Sequence, residues 1–214
     1  MLTEMETLSR ESAISTEAEA LILASASPRR RELLERLGFR LQVEPGDVDE
    51  TWHSGEEAAA YAARIAGDKS SAVRARFPNR WVLAADTVVI LDGSVLGKAA
   101  TPGEAREMIR SLQGRTHVVA TAYVVCGPSA DVRQTVQTEV ALTELSDAAV
   151  DEYVATGEWK GKAGAYAVQG IAAAYVSAVR GSITNVIGLP LAEVIASLRE
   201  CGGPGPMFDR AIPA

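Results

Sequence analysis

The chain has 214 residues, and 47% of them are hydrophobic, which is enough to bury a core in one domain or in two closely joined lobes. Its 21 basic and 28 acidic residues give a net charge of −7, which disfavours a protein that binds the phosphates of duplex nucleic acid. A small anionic ligand is still allowed, because a local basic pocket can exist on an acidic protein.

Neither a membrane span nor a disulfide framework is indicated by the sequence. No apolar run approaches the roughly 18 residues that a transmembrane helix needs. The first residues are polar and acidic, whereas a secretory signal is basic and then apolar. Cys126 and Cys201 lack metal-ligand spacing and are expected to be free thiols. We therefore expect a soluble protein of the cytoplasm.

The chain divides into a central domain and two ends of different composition. Residues 1–19 carry charges and hydroxyl groups without periodicity, and we expect a disordered N-terminal extension. Residues 201–214 are rich in glycine and proline and are expected to form a flexible tail. Between them, residues 20–200 alternate strand-like and helix-like segments, which predicts an α/β domain with a mixed sheet.

The stretch LILASASPRRRELLERLG, residues 21–38, predicts a strand followed by a helix with a basic first turn. Leu21–Ala24 form the strand, Ser27 is a candidate N-cap, and Pro28 suits the first helical position. The arginines that follow lie where the helix dipole is already positive, so they are mildly unfavourable unless an anion binds there.

A phosphate group would suit this turn. The backbone N–H groups, the hydroxyls of Ser25 and Ser27 and the guanidinium groups of Arg29 and Arg30 would together form a cradle for it. The alternative is a solvated basic turn whose charges are balanced by the glutamates of the same helix. The spacing alone does not separate these two interpretations.

Lys69 is out of place on the second predicted helix. That helix is expected to begin near Ser54, where Ser-Gly-Glu-Glu has the form of a capping box. Its apolar face is marked by Tyr61, Ile65, Ala72 and Val73. Lys69 falls within that face, so its ammonium group must either extend to the rim or meet an anion. The helix pattern alone slightly favours the rim.

Asp86 interrupts the apolar stretch WVLAADTVVIL. We expect a strand over residues 81–84, with Asp86 just after its end. A second strand follows and turns at Asp92 and Gly93. A carboxylate at a strand end beside phosphate-binding cations is what Mg²⁺ or Mn²⁺ needs. The alternative is a polar residue at a β-bulge or turn. Lys98, directly after Gly97, is a further but weak candidate for phosphate binding.

The segment GKAGAYAVQG places Lys162 and Gln169 among small residues that allow close approach of a ligand. The Gln169 amide can both donate and accept, so it could read the edge of a base. The alternative is a glutamine that bonds to loop backbone. The next segment, AAAYVSAV, is expected to be a strand. His53 and His117 have no partner spacing, and no serine has a convincing base, so a serine hydrolase is not indicated.

Several separated motifs resemble those of the Maf-like nucleoside triphosphate pyrophosphatases. They are, in order, SASPRRRELLERLG, VDE, RIAGDKS, AADT, LGK, KAGAYAVQG and NVIGLPL. The resemblance implies an elongated, two-lobed fold with a mixed twisted sheet flanked by helices and a central cleft, related to the inosine triphosphate pyrophosphatases. It also implies that a nucleoside triphosphate is split into the monophosphate and pyrophosphate with a divalent metal, Mg, Mn or Co.

The resemblance also implies roles for individual residues. Asp86 of AADT would be the proton acceptor or a metal-associated carboxylate, and Glu50 of VDE would be a second acidic group near the metal. Arg30, Lys69 and Lys98 would hold the triphosphate, with Lys98 counted among the catalytic residues. The substrate-binding set would be completed by Ser25, Ser27, Arg29, Thr87, Lys162 and Gln169.

The family branch that resembles dTTP/UTP pyrophosphatases is indicated by Arg29, Thr87 and Gln169. Two departures concern the loops, since Ala99 stands where proline is usual and Ala167 where glycine is common. The alternatives are the branch that acts on 7-methyl-GTP, and a nucleotide-binding regulator of septation without turnover. A regulator would have no use for both acidic groups, so their joint presence favours catalysis. A homodimer is allowed by the resemblance but is not indicated by the residues.

Overall fold

The computed structural model describes residues 20–128 and 130–207. It contains seven strands and six α-helices within those ranges. In chain order they are β1 (Leu21–Leu23), α1 (Pro28–Arg36), β2 (Leu41–Val43), α2 (Ala58–Arg76), β3 (Val82–Leu91), β4 (Ser94–Leu96), α3 (Pro102–Leu112), β5 (Thr116–Cys126), β6 (Asp131–Leu142), α4 (Asp147–Ala155), β7 (Val176–Arg180), α5 (Ile183–Ile187) and α6 (Leu191–Glu200). The predicted N-terminal extension lies outside the described residues.

The strands form one mixed sheet in the order β2-β1-β3-β5-β6-β7, with β4 paired to β3. Strand β1 is parallel to both β2 and β3, while the pairs β3–β5, β5–β6 and β6–β7 are antiparallel. The prediction of a mixed sheet flanked by helices is therefore confirmed.

Helix α2 covers one face of the sheet. Its inward side chains Ala62, Ala66 and Val73 are fully buried and pack on Ile22 and Ala84. The small alanines let the helix approach the strands closely, which brings Lys69 of the same helix near the sheet. The apolar pattern therefore positions a charged residue over β3.

The opposite face carries two separate apolar clusters. Around β1 the strands pack against Leu34 of α1, Leu189 in the loop before α6, and Val194 and Leu198 of α6. Further along β3 and β5 a second cluster includes α3, α4 and Trp159. Polar side chains of Thr87 and Thr121 lie on the strands between these clusters. The sheet is thus shared by two lobes, with a polar region between them.

Four local predictions were wrong. Helix α2 begins at Ala58 with Glu57 as the N-cap, so the capping box expected from Ser54 and Glu57 does not form. Residues 53–56 close a turn instead, in which the Glu56 N–H donates to the His53 carbonyl and Gly55 has positive φ. Ala72 is exposed rather than part of the buried face. The strand predicted over AAAYVSAV is shorter than expected. Residues 171–175 form a 3₁₀ turn, and only β7 is a strand.

The fourth error concerns Asp86, which was expected at a strand end. It lies in the middle of β3, in regular register with Ala122 of β5, and is therefore at neither a strand end nor a bulge. The turn at Asp92 and Gly93, where both residues have positive φ, is confirmed.

The residues at the C-terminal side of α6 return to α1. The backbone N–H of Met207 donates to the carbonyl of Leu37 at 2.8 Å. None of the helices in the described ranges combines the length and the apolar character needed to cross a lipid bilayer.

A buried histidine links the sheet to the loop after α4. His117 of β5 is 2% exposed, and its Nε2 lies 2.8 Å from the hydroxyl of Tyr166. Its Nδ1 has no hydrogen-bond partner among the described residues. Burial lowers the pKa of His117 to about 4, so the ring is neutral at physiological pH.

This histidine makes stability depend on pH. In the unfolded chain it titrates near its ordinary pKa of 6.5, so between pH 6.5 and about 4 the unfolded chain binds a proton that the folded protein excludes. The contribution of His117 to stability is therefore complete above pH 6.5 and is lost as pH falls toward 4.

We expect the His117→Gln variant to lose less stability than the wild type between pH 7 and pH 4.5, by about 2 kcal/mol in the free energy of unfolding. Urea denaturation at the two pH values measures this difference. The matched control is His53→Gln, which changes an exposed histidine. Equal losses in His117→Gln and the wild type would contradict the prediction.

Candidate active site

A cleft opens where one edge of β3 has no neighbouring strand. Strand β1 pairs with β3 only at Val82 and Leu83, and β4 pairs with it only from Val89 onward. The edge of β3 between these points is uncovered, and Asp86 and Thr87 lie in that gap. Because side chains alternate along a strand, these two neighbours face opposite sides of the sheet.

The cleft has a volume of about 460 Å³. Every residue that the sequence predicted for a site lines it, namely Ser25, Ser27, Arg29, Arg30, Glu50, Lys69, Asp86, Thr87, Lys98, Lys162 and Gln169. These residues come from α1, α2, β3 and four loops, so the fold brings together groups that are distant in sequence. Their individual roles stay predictions.

Arg30 is fixed in the cleft wall by three hydrogen bonds. Its guanidinium donates to the carbonyl of Gly188 at 2.7 Å, to Ser25 Oγ at 2.9 Å and to Thr87 Oγ1 at 2.9 Å. The side chain is buried, which lowers its pKa, while the charges of Asp86 and Glu50 act in the opposite direction. All three acceptors are neutral, so the positive charge of Arg30 is not cancelled by direct contact and remains available to an anion.

The backbone conformation of Gly188 allows its carbonyl to accept the hydrogen bond from Arg30. It has φ +128°, a conformation that other residues rarely adopt, and a Cβ there would lie 3.7 Å from both Arg30 Nε and Thr87 Oγ1. The sequence analysis did not identify this residue, because a backbone carbonyl acceptor leaves no side-chain signal.

Lys69 lies between two carboxylates on the other side of β3. Its Nζ is 2.6 Å from Glu50 Oε1 and 2.8 Å from Asp86 Oδ1, and the residue is only 8% exposed. The interpretation of Lys69 as extending to the rim is therefore wrong. Burial would raise the pKa of Glu50, but the hydrogen bond and charge of Lys69 and the charges of Lys98 and Arg30 bring it below its ordinary value.

Arg29 and Lys162 form a second basic group in the cleft. Arg29 Nε donates to the carbonyl of Ile187 at 3.3 Å, and burial lowers its pKa. The pKa of Lys162 is lowered by burial and then by the charge of Arg29. A bound anion would stabilise these two neighbouring cations.

Lys98 and the loop of Lys162 are joined by main-chain contacts. Lys98 forms an isolated antiparallel bridge with Ala163, and the N–H of Gly164 donates to the carbonyl of Gly97 at 3.0 Å. Two loops that are more than 60 residues apart in sequence are therefore held side by side. This explains how Lys98 and Lys162 come to line the same cleft.

The predicted hydroxyl and amide groups differ in what they contact. Ser25 Oγ accepts from Arg30 and from the N–H of Ser27, whereas the Ser27 side chain does not cap α1. Gln169 is exposed. No side-chain hydrogen bond of Gln169 exists within the part of the chain that the structure describes, so the alternative of a glutamine bonded to loop backbone is not realised there.

Similarity to known proteins extends over most of the chain. A family model described as Maf-like protein matches residues 20–201. Similar proteins include the dTTP/UTP pyrophosphatase of Anaeromyxobacter dehalogenans (strain 2CP-1), 49% identical, with 88% of this chain and 97% of that protein covered. The dTTP/UTP pyrophosphatase of Koribacter versatilis is 45% identical, with 85% and 94% covered. That of Myxococcus xanthus is 47% identical, with 87% and 94% covered.

Among solved structures, the Ham1 protein of Staphylococcus aureus matches with a TM-score of 0.41 and 17% identity over 60% of this chain and 72% of that chain. This likeness is too distant to carry an argument about the site.

The contacts of Arg30 give a stability prediction for Thr87. In Thr87→Val the shape of the side chain is kept but the acceptor for Arg30 is lost, which leaves a buried guanidinium N–H without its partner. We expect the free energy of unfolding to fall by roughly 1–3 kcal/mol in urea denaturation. The control is Thr87→Ser, which keeps the hydroxyl and should lose less. A Thr87→Val variant as stable as Thr87→Ser would contradict the assigned contact.

Proposed function

The chain belongs to the Maf-like protein family, and from that premise we propose that it is a nucleoside triphosphate pyrophosphatase that hydrolyses dTTP and UTP to the monophosphate and pyrophosphate. The observation that carries this proposal is the convergence of cations and paired carboxylates in one cleft. The relatives named dTTP/UTP pyrophosphatase, which match over nearly their whole length, support the choice of substrate.

The cations of the cleft provide the electrostatic part of the reaction. Hydrolysis between the α- and β-phosphates requires the negative oxygens to be neutralised before water can approach phosphorus. Arg30 is already fixed by three hydrogen bonds, so it does not have to reorganise when the substrate binds. Arg29, Lys98 and Lys162 line the same cleft and are assigned to the remaining phosphate oxygens.

Asp86 is assigned to the attacking water. Its Oδ1 accepts a hydrogen bond from Lys69, which fixes the orientation of the carboxylate. In this assignment Asp86 accepts the proton as the water oxygen bonds to phosphorus, and pyrophosphate leaves with the electrons of the broken P–O bond. Lys69 contributes by holding Asp86 and Glu50 at defined positions.

A divalent cation fits the acidic pair. Lys69 Nζ occupies the point between Glu50 Oε1 and Asp86 Oδ1, so a divalent cation would be held by the second oxygen of each carboxylate. No group of three or more His, Cys, Asp or Glu side chains suited to a metal ion occurs in residues 20–128 and 130–207. Two carboxylates completed by phosphate oxygens and water form the type of set that Mg²⁺ accepts. Mg, Mn or Co held there would shield charge on the phosphoryl oxygens.

The base is assigned to the loop of Gln169. Its exposed amide can both donate and accept, as recognition of a pyrimidine edge requires. The hydroxyl of Thr87, in contrast, accepts a hydrogen bond from Arg30. We therefore assign Thr87 the role of positioning Arg30 for the phosphate groups. Direct contact with the base is assigned to Gln169 alone.

We expect purified protein with Mg²⁺ or Mn²⁺ to release pyrophosphate, and not orthophosphate, from dTTP and UTP. Asp86→Asn keeps the size of the side chain but removes the base, so kcat should fall at least about 100-fold. The matched control is Asp92→Asn, in the turn after β3, where only an exposed ion pair with Arg115 is lost. Unchanged turnover in Asp86→Asn would remove Asp86 from the mechanism.

Base preference is tested with a panel of dTTP, UTP, CTP, 7-methyl-GTP, GTP and ATP. We expect kcat/KM to be highest for dTTP and UTP, and Gln169→Ala to reduce this preference by about tenfold because a base contact is lost. Higher kcat/KM for 7-methyl-GTP would move the protein to the other branch of the family. Tight binding without pyrophosphate release would favour a nucleotide-binding regulator.

A further inference from the structure

We propose that Tyr61 and Arg64 of α2 are positioning residues that hold Glu50 against Lys69. The inference rests on the function proposed above, since Glu50 matters only if the cleft is catalytic. It concerns residues 44–57, here called the Glu50 loop, which connect β2 to α2 without a strand or helix of their own.

The position of Glu50 depends on contacts of its backbone. The Glu50 side chain is 44% exposed, so little packing surrounds it. The Tyr61 hydroxyl donates to the carbonyl of Glu50 at 2.8 Å. The carbonyl of the next residue, Thr51, accepts from Arg64 Nη2 at 3.1 Å. Two consecutive carbonyls of the loop are thus bound by side chains of one helix.

The same helix also binds the Glu50 side chain. Tyr61, Arg64 and Lys69 lie on neighbouring turns of α2, so their relative positions are fixed by the helix. Tyr61 contacts the backbone of Glu50 and Lys69 contacts its carboxylate. Close approach is possible because Gly46 packs on the Lys69 backbone, where a Cβ would lie 2.8 Å from the Lys69 carbonyl oxygen.

Aromatic and ionic contacts keep Tyr61 and Arg64 in place. The ring of Trp52, also in the Glu50 loop, lies 4.9 Å from the Tyr61 ring, and Arg64 Cζ lies 5.4 Å from it. Arg64 binds both carboxylate oxygens of Glu56, at 2.7 and 2.8 Å. The loop is therefore attached to α2 on both sides of Glu50.

Tyr61 acts as a hydrogen-bond donor and not as an acid or base. Burial raises its pKa, and the charges of Asp86 and Glu50 raise it further. The hydroxyl therefore keeps its proton at neutral pH and can donate to the Glu50 carbonyl. Because Tyr61 also lines the cleft, the experiment has to separate an effect through Glu50 from direct contact with the substrate.

A double-mutant cycle makes this separation with Tyr61→Phe, Glu50→Gln and the variant that carries both changes. Phenylalanine keeps the ring and its contacts with Trp52 and Arg64. We expect Tyr61→Phe to lower kcat for dTTP about tenfold with less than a twofold change in KM, and to have no further effect when Glu50 is already glutamine. The control, Tyr175→Phe, removes a hydroxyl outside the cleft and should leave kcat unchanged.

Backbone hydrogen exchange gives a second reading that does not need turnover. We expect peptides covering the Glu50 loop to exchange at least about threefold faster in Tyr61→Phe, while β3 exchanges as in the wild type. Arg64→Gln removes the second anchor. Like Tyr61→Phe, it should speed exchange in the Glu50 loop and lower kcat.

Two results would overturn the inference. The first is the same fall in kcat from Tyr61→Phe in the Glu50→Gln background, which would place Tyr61 on the substrate. The second is unchanged exchange in the Glu50 loop of both Tyr61→Phe and Arg64→Gln. If the wild type cleaves no triphosphate, the proposed function fails, and the exchange measurement still decides whether these residues hold the loop.

Discussion

The cleft depends on one buried ammonium group, Lys69 Nζ, which lies between the carboxylates of Glu50 and Asp86. The three residues come from a helix, a loop and a strand, so this contact joins separate parts of the chain. Removing the lysine would leave two carboxylates close together with little solvent around Asp86, which is costly in a partly buried site. The ammonium group therefore allows the two carboxylates to lie close together, and the carboxylates allow the ammonium group to be buried.

The alternation of side chains along β3 divides the rest of the cleft. Asp86 faces α2 and its lysine, while Thr87, the next residue, faces Arg30 and the polar region between the two apolar clusters of the other face. If β1 or β4 extended along this part of the strand edge, it would separate the two faces of the sheet. A gap between two short strands thus gives a ligand access to groups on both sides of one sheet.

Local signals in the sequence were sufficient for some elements. Strand β1 and the start of α1 at Pro28 are encoded by neighbouring residues, and each occurs as predicted. The start of α2 was missed because residues 53–56 close a turn, with positive φ at Gly55, and the helix begins only after it. The length of β3 was missed because Asp86 and Thr87, which are polar, suggested the end of a strand. Continuous pairing with β5 extends β3 past both residues.

For the site, the types of residue could be predicted but their contacts could not. Motifs separated along the chain indicated which side chains belong together, and all of them line the cleft. Nothing in the sequence indicated that Thr87 holds Arg30, or that Tyr61 binds a loop carbonyl. Such contacts depend on the path of the backbone, which a pattern of side chains does not specify.

The bridge between Lys98 and Ala163 has a consequence for redesign of the enzyme. The segment that carries Gln169 and the segment that carries Lys98 share main-chain hydrogen bonds, so they form one module although they are far apart in sequence. Grafting a new recognition loop from a relative would leave it mismatched with its neighbour unless both segments were transplanted together. Natural divergence in selectivity faces the same requirement, which favours paired changes over single ones.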